Sequence, residues 1–328
     1  MRSRAFNKSA KAVRQLSVLG FLLLLVVVFA GLADSFLTVS NLMNVALQTS
    51  IIAIVAIGMS FVIFTAGIDL SVGSIMALSG ALAAGVAVNF GLDTYLGIGV
   101  GLLVGLLVGA LNGLLIVKGG IPPFVATLSM LAVARGLTLV YTEGRPIAGL
   151  DERFIFLGTG RIFEFALENG QIIGLPLPVV FMILIAVIAH LVTRFTPFGL
   201  HVYATGGNEE TTRLAGISPD RIKMAVYMIS GFLAALGGIL LTARLWSAQP
   251  NAALGWELDA IAAPVLGGTS LFGGVGSIGG TVIGAFIMGV LSNGLNLMGV
   301  QSYHQQVIKG LVFILAVIVD LLINRRRR

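Results

Sequence analysis

Ten apolar stretches follow one another along the chain, near residues 16–33, 45–66, 70–90, 95–117, 122–142, 176–193, 222–243, 257–271, 279–297 and 305–323. Each approaches the length of about 20 residues that carries a helix across a hydrocarbon layer about 30 Å thick. With 57% hydrophobic and 10% charged residues, against a norm of about 25% charged in soluble domains, the surface cannot be hidden in water. The pattern predicts an all-α polytopic membrane protein of about ten transmembrane helices, a single domain over 1–328. Such a chain has no room for a separate soluble catalytic domain, so any energy source is expected on another protein.

The N-terminus carries Arg2, Arg4, Lys8, Lys11 and Arg14 ahead of the uncharged run Leu16–Ala33, and Gly31-Leu32-Ala33 imitates a signal-peptide cleavage site. An 18-residue run exceeds the usual apolar region of about 7 to 15 residues, and further spans follow, so a retained first helix is expected. Placing the N-terminus in the cytoplasm assigns 14 of the 20 Lys and Arg to the cytoplasmic segments 1–15, 118, 194–223 and 324–328, and four to the opposite side. That asymmetry predicts cytoplasmic termini. The +6 charge belongs with cytoplasmic loops and anionic lipid, and nucleic acid is not expected as a partner. With no cysteine, and with His190, His201 and His304 far apart, no metal site is expected.

Two polar segments interrupt the apolar pattern. The outer loop 143–175 holds Glu143, Asp151, Glu152, Glu164 and Glu168, and the cytoplasmic loop 194–223 is the longest on its side. Each reads as a solvated connection or as a partner-receiving surface. In the cytoplasmic loop, Asn208 is a good N-cap for a short helix with Glu209 and Glu210 in its first turn, stopped by Gly216 and Pro219. Gly97, Gly101, Gly105, Gly109 and Gly113 recur every fourth residue, a stripe that lets transmembrane helices approach closely. Eight of the 18 residues from 267 to 284 are glycine and break helical continuity.

The run GVGSIG at 274–279 matches the dinucleotide fingerprint literally, but the next acid, Asp320, lies 41 residues on, and no strand–helix–strand unit surrounds it. No GxxxxGK[ST] occurs, so ATP binding through a P-loop is not expected, and neither is enzyme activity. GIDLSVGS at 67–74 breaks two apolar segments, and Asp69 or Ser71 can cap the helix that follows or line a gate. Arg135 lies within an apolar span, where a charge costs about 2.5 to 3.5 kcal/mol; it is expected to snorkel outward or to pair with a carboxylate such as Glu143. Glu257 and Asp259 open the eighth stretch and suit either a helix start or a pore mouth.

Taken together, GIDLSVGS at 67–74, YATGGNEETTRLAGI at 203–217 and ELDAIAAPVLGGTSLFGGVGSIGGTVIGA at 257–285 resemble the monosaccharide ABC importer permeases. VARGLTLVYTEG at 133–144, ARLWSAQP at 243–250 and SNGLNLMGVQSYHQQVIKG at 292–310 are most similar to the ribose branch of that family. The resemblance implies an inverted-repeat architecture, with spans two to five and seven to ten as the repeats. It implies a second permease copy, a cytoplasmic ABC ATPase that binds the ATP and Mg²⁺, and an extracytoplasmic sugar-binding protein, with no cofactor in this chain. It places the chain in the inner (plasma) membrane and makes it a sugar permease working by alternating access. An ion-coupled secondary carrier and a passive channel are the alternatives.

Residue by residue, the family's coupling segment falls on Gly207, Asn208, Glu209, Thr212, Arg213 and Gly216. The inner gate falls on Gly67, Asp69, Ser71, Gly73, Gly267, Gly268 and Gly274; separately from the resemblance, Gln249, Asn251, Glu257 and Asp259 are candidates for the outer mouth. Pro264 departs from the expected aliphatic residue and predicts a kink, and Val275 and Ser277 leave the inner loop without a basic residue that family members often carry.

Overall fold

The computed structural model describes residues 2–166 and 172–325, excepting the side chains of 2–16, 165, 166, 172, 173, 319, 320 and 322–325. The basic N-terminal segment, Glu168 and the basic tail at 324–328 therefore lie outside the described side chains. In chain order the elements begin α1 (Arg2–Leu32), α2 (Val39–Phe64), α3 (Val72–Val88), α4 (Thr94–Val117), α5 (Pro123–Thr142), β1 (Ile147–Ala148), α6 (Glu152–Thr159), β2 (Arg161–Ala166) and β3 (Ile172–Pro176). They continue with α7 (Leu177–Phe195), α8 (Pro197–Gly207), α9 (Glu209–Leu214), α10 (Pro219–Arg244), β4 (Ser247–Ala248), α11 (Trp256–Leu266), α12 (Ile278–Leu297) and α13 (Ser302–Arg325).

Each apolar stretch carries one helix, and six of these, α2, α4, α5, α7, α10 and α12, are long and apolar enough to cross a membrane alone. The eighth stretch corrects the expectation of a full span at 257–271. Helix α11 has 11 residues, about 16 Å at 1.5 Å per residue, half a hydrocarbon layer. It stops two residues after Pro264, where Gly268 turns the chain at φ 88°.

The core shows two inverted halves, α2–α5 and α10–α13, each beginning with a 26-residue helix. Each of those helices packs on the other half: α10 lies against α4 and α3, and α2 against α12 and α11. The second residue past each long helix, Ala66 and Trp246, takes positive φ, 61° and 58°, so both halves break at the same point. The predicted glycine stripe is the seam. A Cβ at Gly97 or Gly101 would strike backbone carbonyls of α3, and one at Gly105, Gly109 or Gly113 would strike α10 at Gly231, Tyr227 or Met224.

At one end, β1 pairs antiparallel with β4, joining the connection after α5 to the one after α10. The 143–175 segment is thus folded rather than a bare connection, holding α6 and the β2–β3 hairpin. Phe154 of α6 is fully buried, and Gly158 lies against Ala243 and Arg244 of α10.

Candidate functional site

Three polar junctions interrupt the apolar interior. At the end opposite the β1–β4 pair, α9 forms at the expected place: Asn208 accepts a hydrogen bond from Thr211 N at 2.8 Å, and Gly216 turns the chain out at φ 81°. Glu209 accepts from Lys223 Nζ at 2.6 Å, tying α9 to the first turns of α10, and Arg213 stands 3.6 Å from Glu209 and 3.4 Å from Asp220. Thr212 is buried and donates to Asn208 O at 2.8 Å, whereas nothing neighbours the Cβ position of Gly207. The preceding helix α8 carries residues that sequence reasoning missed. The Tyr203 ring lies 4.8 Å from that of Phe64 at the end of α2, and its hydroxyl donates to Gly276 O at 3.3 Å. Burial pushes the Tyr203 phenol up to about 12.

Gly274 N donates to Phe64 O at 3.0 Å, and a Cβ on Gly206 would overlap that same carbonyl and Gly274 N. The end of α2, the end of α8 and the glycine-rich loop thus meet at one point that admits no side chain. Gly267 packs in the same way against the Gly280 carbonyl, while Val275 O accepts from Ser270 N at 3.0 Å and Ser277 caps α12 through Gly280 N at 3.2 Å. The double glycine after an aromatic, YATGG, was the available signal.

The second junction is the break after α2. Asp69 is fully buried, which the capping alternatives did not anticipate. Its Oδ1 accepts from Ser71 N at 3.0 Å and Ser71 Oγ at 2.6 Å, and its Oδ2 from Ser230 Oγ of α10 at 2.8 Å. Ser71 is the N-cap of α3 by position but makes no capping bond; its hydroxyl accepts from Asn112 of α4 at 2.9 Å. Tyr227 of α10 and Thr127 of α5 both donate to Ile68 O at 3.3 Å. Gly67 is glycine because a Cβ would stand 2.6 Å from the Tyr227 hydroxyl.

The third junction is the break after α10. Gln249 donates to Ser247 Oγ at 2.8 Å near the β1–β4 pair, but the chain then descends until Ala253 O and Glu257 Oε2 would lie 2.5 and 2.7 Å from a Cβ on Gly73, at the start of α3. Arg135 does not meet Glu143, which closes α5 as its C-cap; the carboxylate that faces it is Glu257, and its hydrogen bonds go to backbone carbonyls. Its Nη1 donates to Pro250 O at 2.7 Å and Ala252 O at 3.0 Å, and its Nη2 to Gly73 O at 3.4 Å. Partners 115 and 117 residues away carry no sequence signal. Asn251 is exposed, and Asp259 accepts from Lys309 of α13 at 3.0 Å.

All three junctions fall inside residues 41–317, which match the family described as branched-chain amino acid transport system / permease component. The chain belongs to this permease family. The permease is 52% identical over 299 residues to the ribose import permease protein of Bacillus subtilis (strain 168), covering 91% of this chain and 90% of that one. It is 46% identical over 318 residues to the ribose import permease protein of Escherichia coli (strain K12), covering 97% and 96%. To the D-allose transport system permease protein of the same strain it is 39% identical over 307 residues, covering 93% and 90%. No solved structure matches. The sugar-permease resemblance carried by the three sequence motifs agrees with these similarities.

Proposed function

We propose that this permease is the membrane subunit of an ATP-driven, binding-protein-dependent ABC importer whose sugar is ribose. The observation that carries the reading is its similarity, over nine-tenths or more of both chains, to ribose import permeases. The permease sits in the inner (plasma) membrane with cytoplasmic termini, as the basic residues distribute. It works as one of two permease copies, a homodimer by closed symmetry, beside a cytoplasmic ATPase that holds ATP and Mg²⁺ and an extracytoplasmic sugar-binding protein.

The geometry supports a route for the work. Helix α9 is a capped polar knob facing the ATPase, with Gly207, Asn208, Glu209, Thr212, Arg213 and Gly216 as its coupling segment. The Glu209–Lys223 pair passes a displacement to α10, and α10 bears Tyr227 and Ser230 on the break at Ile68 and Asp69. Gly206 and Tyr203 pass the same displacement to Phe64 and the glycine loop. Gly67, Asp69, Ser71, Gly73, Gly267, Gly268 and Gly274 then form the inner gate, while Gln249, Asn251, Glu257 and Asp259 follow the path from the outer mouth inward. Alternating access results when the two inverted halves rock about these breaks.

Buried Asp69 favours one rival, an ion-coupled carrier, because such carriers keep ionisable groups deep in the membrane. Its two oxygens are already occupied by three donors from Ser71 and Ser230, which suits a structural clasp better. A passive channel would need no partner at all. The test is ATP hydrolysis by the co-purified ATPase, with and without ribose-loaded binding protein. Stimulation by the loaded protein supports the importer, and a permease recovered without any ATPase, or hydrolysis indifferent to the binding protein, overturns it.

A further inference from the structure

The breaks at 65–71 and 245–255 belong to opposite halves, and a side chain outside both ties the second break to the helix that follows the first. Arg135 is 12 residues into α5, about 18 Å along it. From there its planar fork takes two carbonyls of one break and, through Gly73, one at the start of the helix that follows the other. Glu257, in the first turn of α11, reaches the same point against Gly73. Non-helical backbone at this depth has no lipid-compatible hydrogen bonds of its own; its carbonyls need either protein donors or water. Here Arg135 supplies the donors. Within the held segment Ala253 is buried, while Asn251 and Leu254 on either side of it are exposed.

We propose that Arg135 is a positioning residue that latches the 250–255 segment onto the start of α3, closing the path at mid-depth, and that its release is a step of transport. The transport part rests on the importer reading above; the latch itself does not. If the halves rock against each other, the bonds to Pro250, Ala252 and Gly73 must break, and the freed carbonyls then take water. An arginine serves because one nitrogen spans two carbonyls while the other reaches a third; a lysine offers a point charge that cannot hold all three at once.

The chain contains no cysteine, so a single introduced thiol reports on its own site. The experiment measures the rate at which a membrane-impermeant maleimide alkylates Ala253→Cys, whose position is buried in the latched segment, in vesicles without sugar or ATP, alone and combined with Arg135→Ala or Arg135→Lys. Phe90→Cys, 67% exposed in the connection before α4, is the reference. Losing the latch raises alkylation at position 253 by at least about tenfold in the alanine variant, with lysine intermediate, and leaves position 90 unchanged. Equal rates at 253 with and without Arg135 overturn the latch, and so does an equal rise at both positions, which reports general loosening. If the alanine variant does not accumulate, the lysine variant decides alone by the same comparison. Ribose uptake by the same vesicles reports separately on the importer reading, because alkylation needs neither substrate nor energy.

Discussion

Replacing Asp69 with alanine removes the acceptor of three buried hydrogen bonds, from Ser71 N, Ser71 Oγ and Ser230 Oγ. A buried donor left without a partner costs about 1–3 kcal/mol, so with three donors orphaned the variant should lose about 3–9 kcal/mol. Asparagine behaves differently. Its amide oxygen can replace Oδ1 and keep both Ser71 bonds, while its NH₂ faces Ser230, whose hydroxyl turns from donor to acceptor. The asparagine variant should therefore lose only about 1 kcal/mol. Ser230→Ala gives the control: combined with Asp69→Ala it should be less than additive by about 1 kcal/mol, because the two share one bond. The assay is the midpoint of heat-induced loss of the monodisperse peak in detergent, with an expected drop of about 10 °C for alanine and a few degrees for asparagine. Equal midpoints for alanine and wild type refute the clasp. The same pair separates the rival readings, since an ion-coupled carrier that used this carboxylate would lose all uptake with asparagine, whereas the importer keeps ATP-dependent uptake.

Gly206→Ala should place a methyl on the Phe64 carbonyl and lower ribose uptake at least about tenfold, with membrane insertion measured in parallel by protease protection; wild-type uptake contradicts the junction. Replacing Glu209 and Arg213 together should leave ATP hydrolysis running while uptake is lost, read as the ratio of sugar moved to phosphate released; an unchanged ratio removes α9 from the coupling role. Because burial holds Tyr203 neutral up to about 12, its contribution to stability is complete below the ordinary tyrosine value of about 10 and is lost as pH rises through about 12. Tyr203→Phe should make that high-pH decline in the thermal midpoint shallower, and an unchanged decline contradicts the buried phenol.

The six long helices α2, α4, α5, α7, α10 and α12 were legible because lipid forces each crossing to be long, apolar and internally hydrogen-bonded, and that leaves a mark on local sequence. Asn208 and Gly216 were legible for the same reason, since a cap acts within three or four residues. The half-length of α11 was not, although Pro264 and the glycines after it marked the place: hydropathy runs on to residue 271 while the backbone turns at Gly267 and Gly268. Nor could the sequence pair Arg135 with Pro250 and Ala252, or Asp69 with Ser230, because carbonyls and hydroxyls have no charge pattern and the partners come from opposite inverted halves. The tight point of Gly206, Phe64 and Gly274 was half visible, its glycines apparent and their common neighbour not.

Radiolabelled ribose uptake into proteoliposomes that hold this permease with its ATPase tests the central claim most directly. Uptake is expected to require both internal ATP and external ribose-loaded binding protein, and to stop when either is withheld. Accumulation without ATP, or without the binding protein, would contradict the account and return the permease to the carriers or channels.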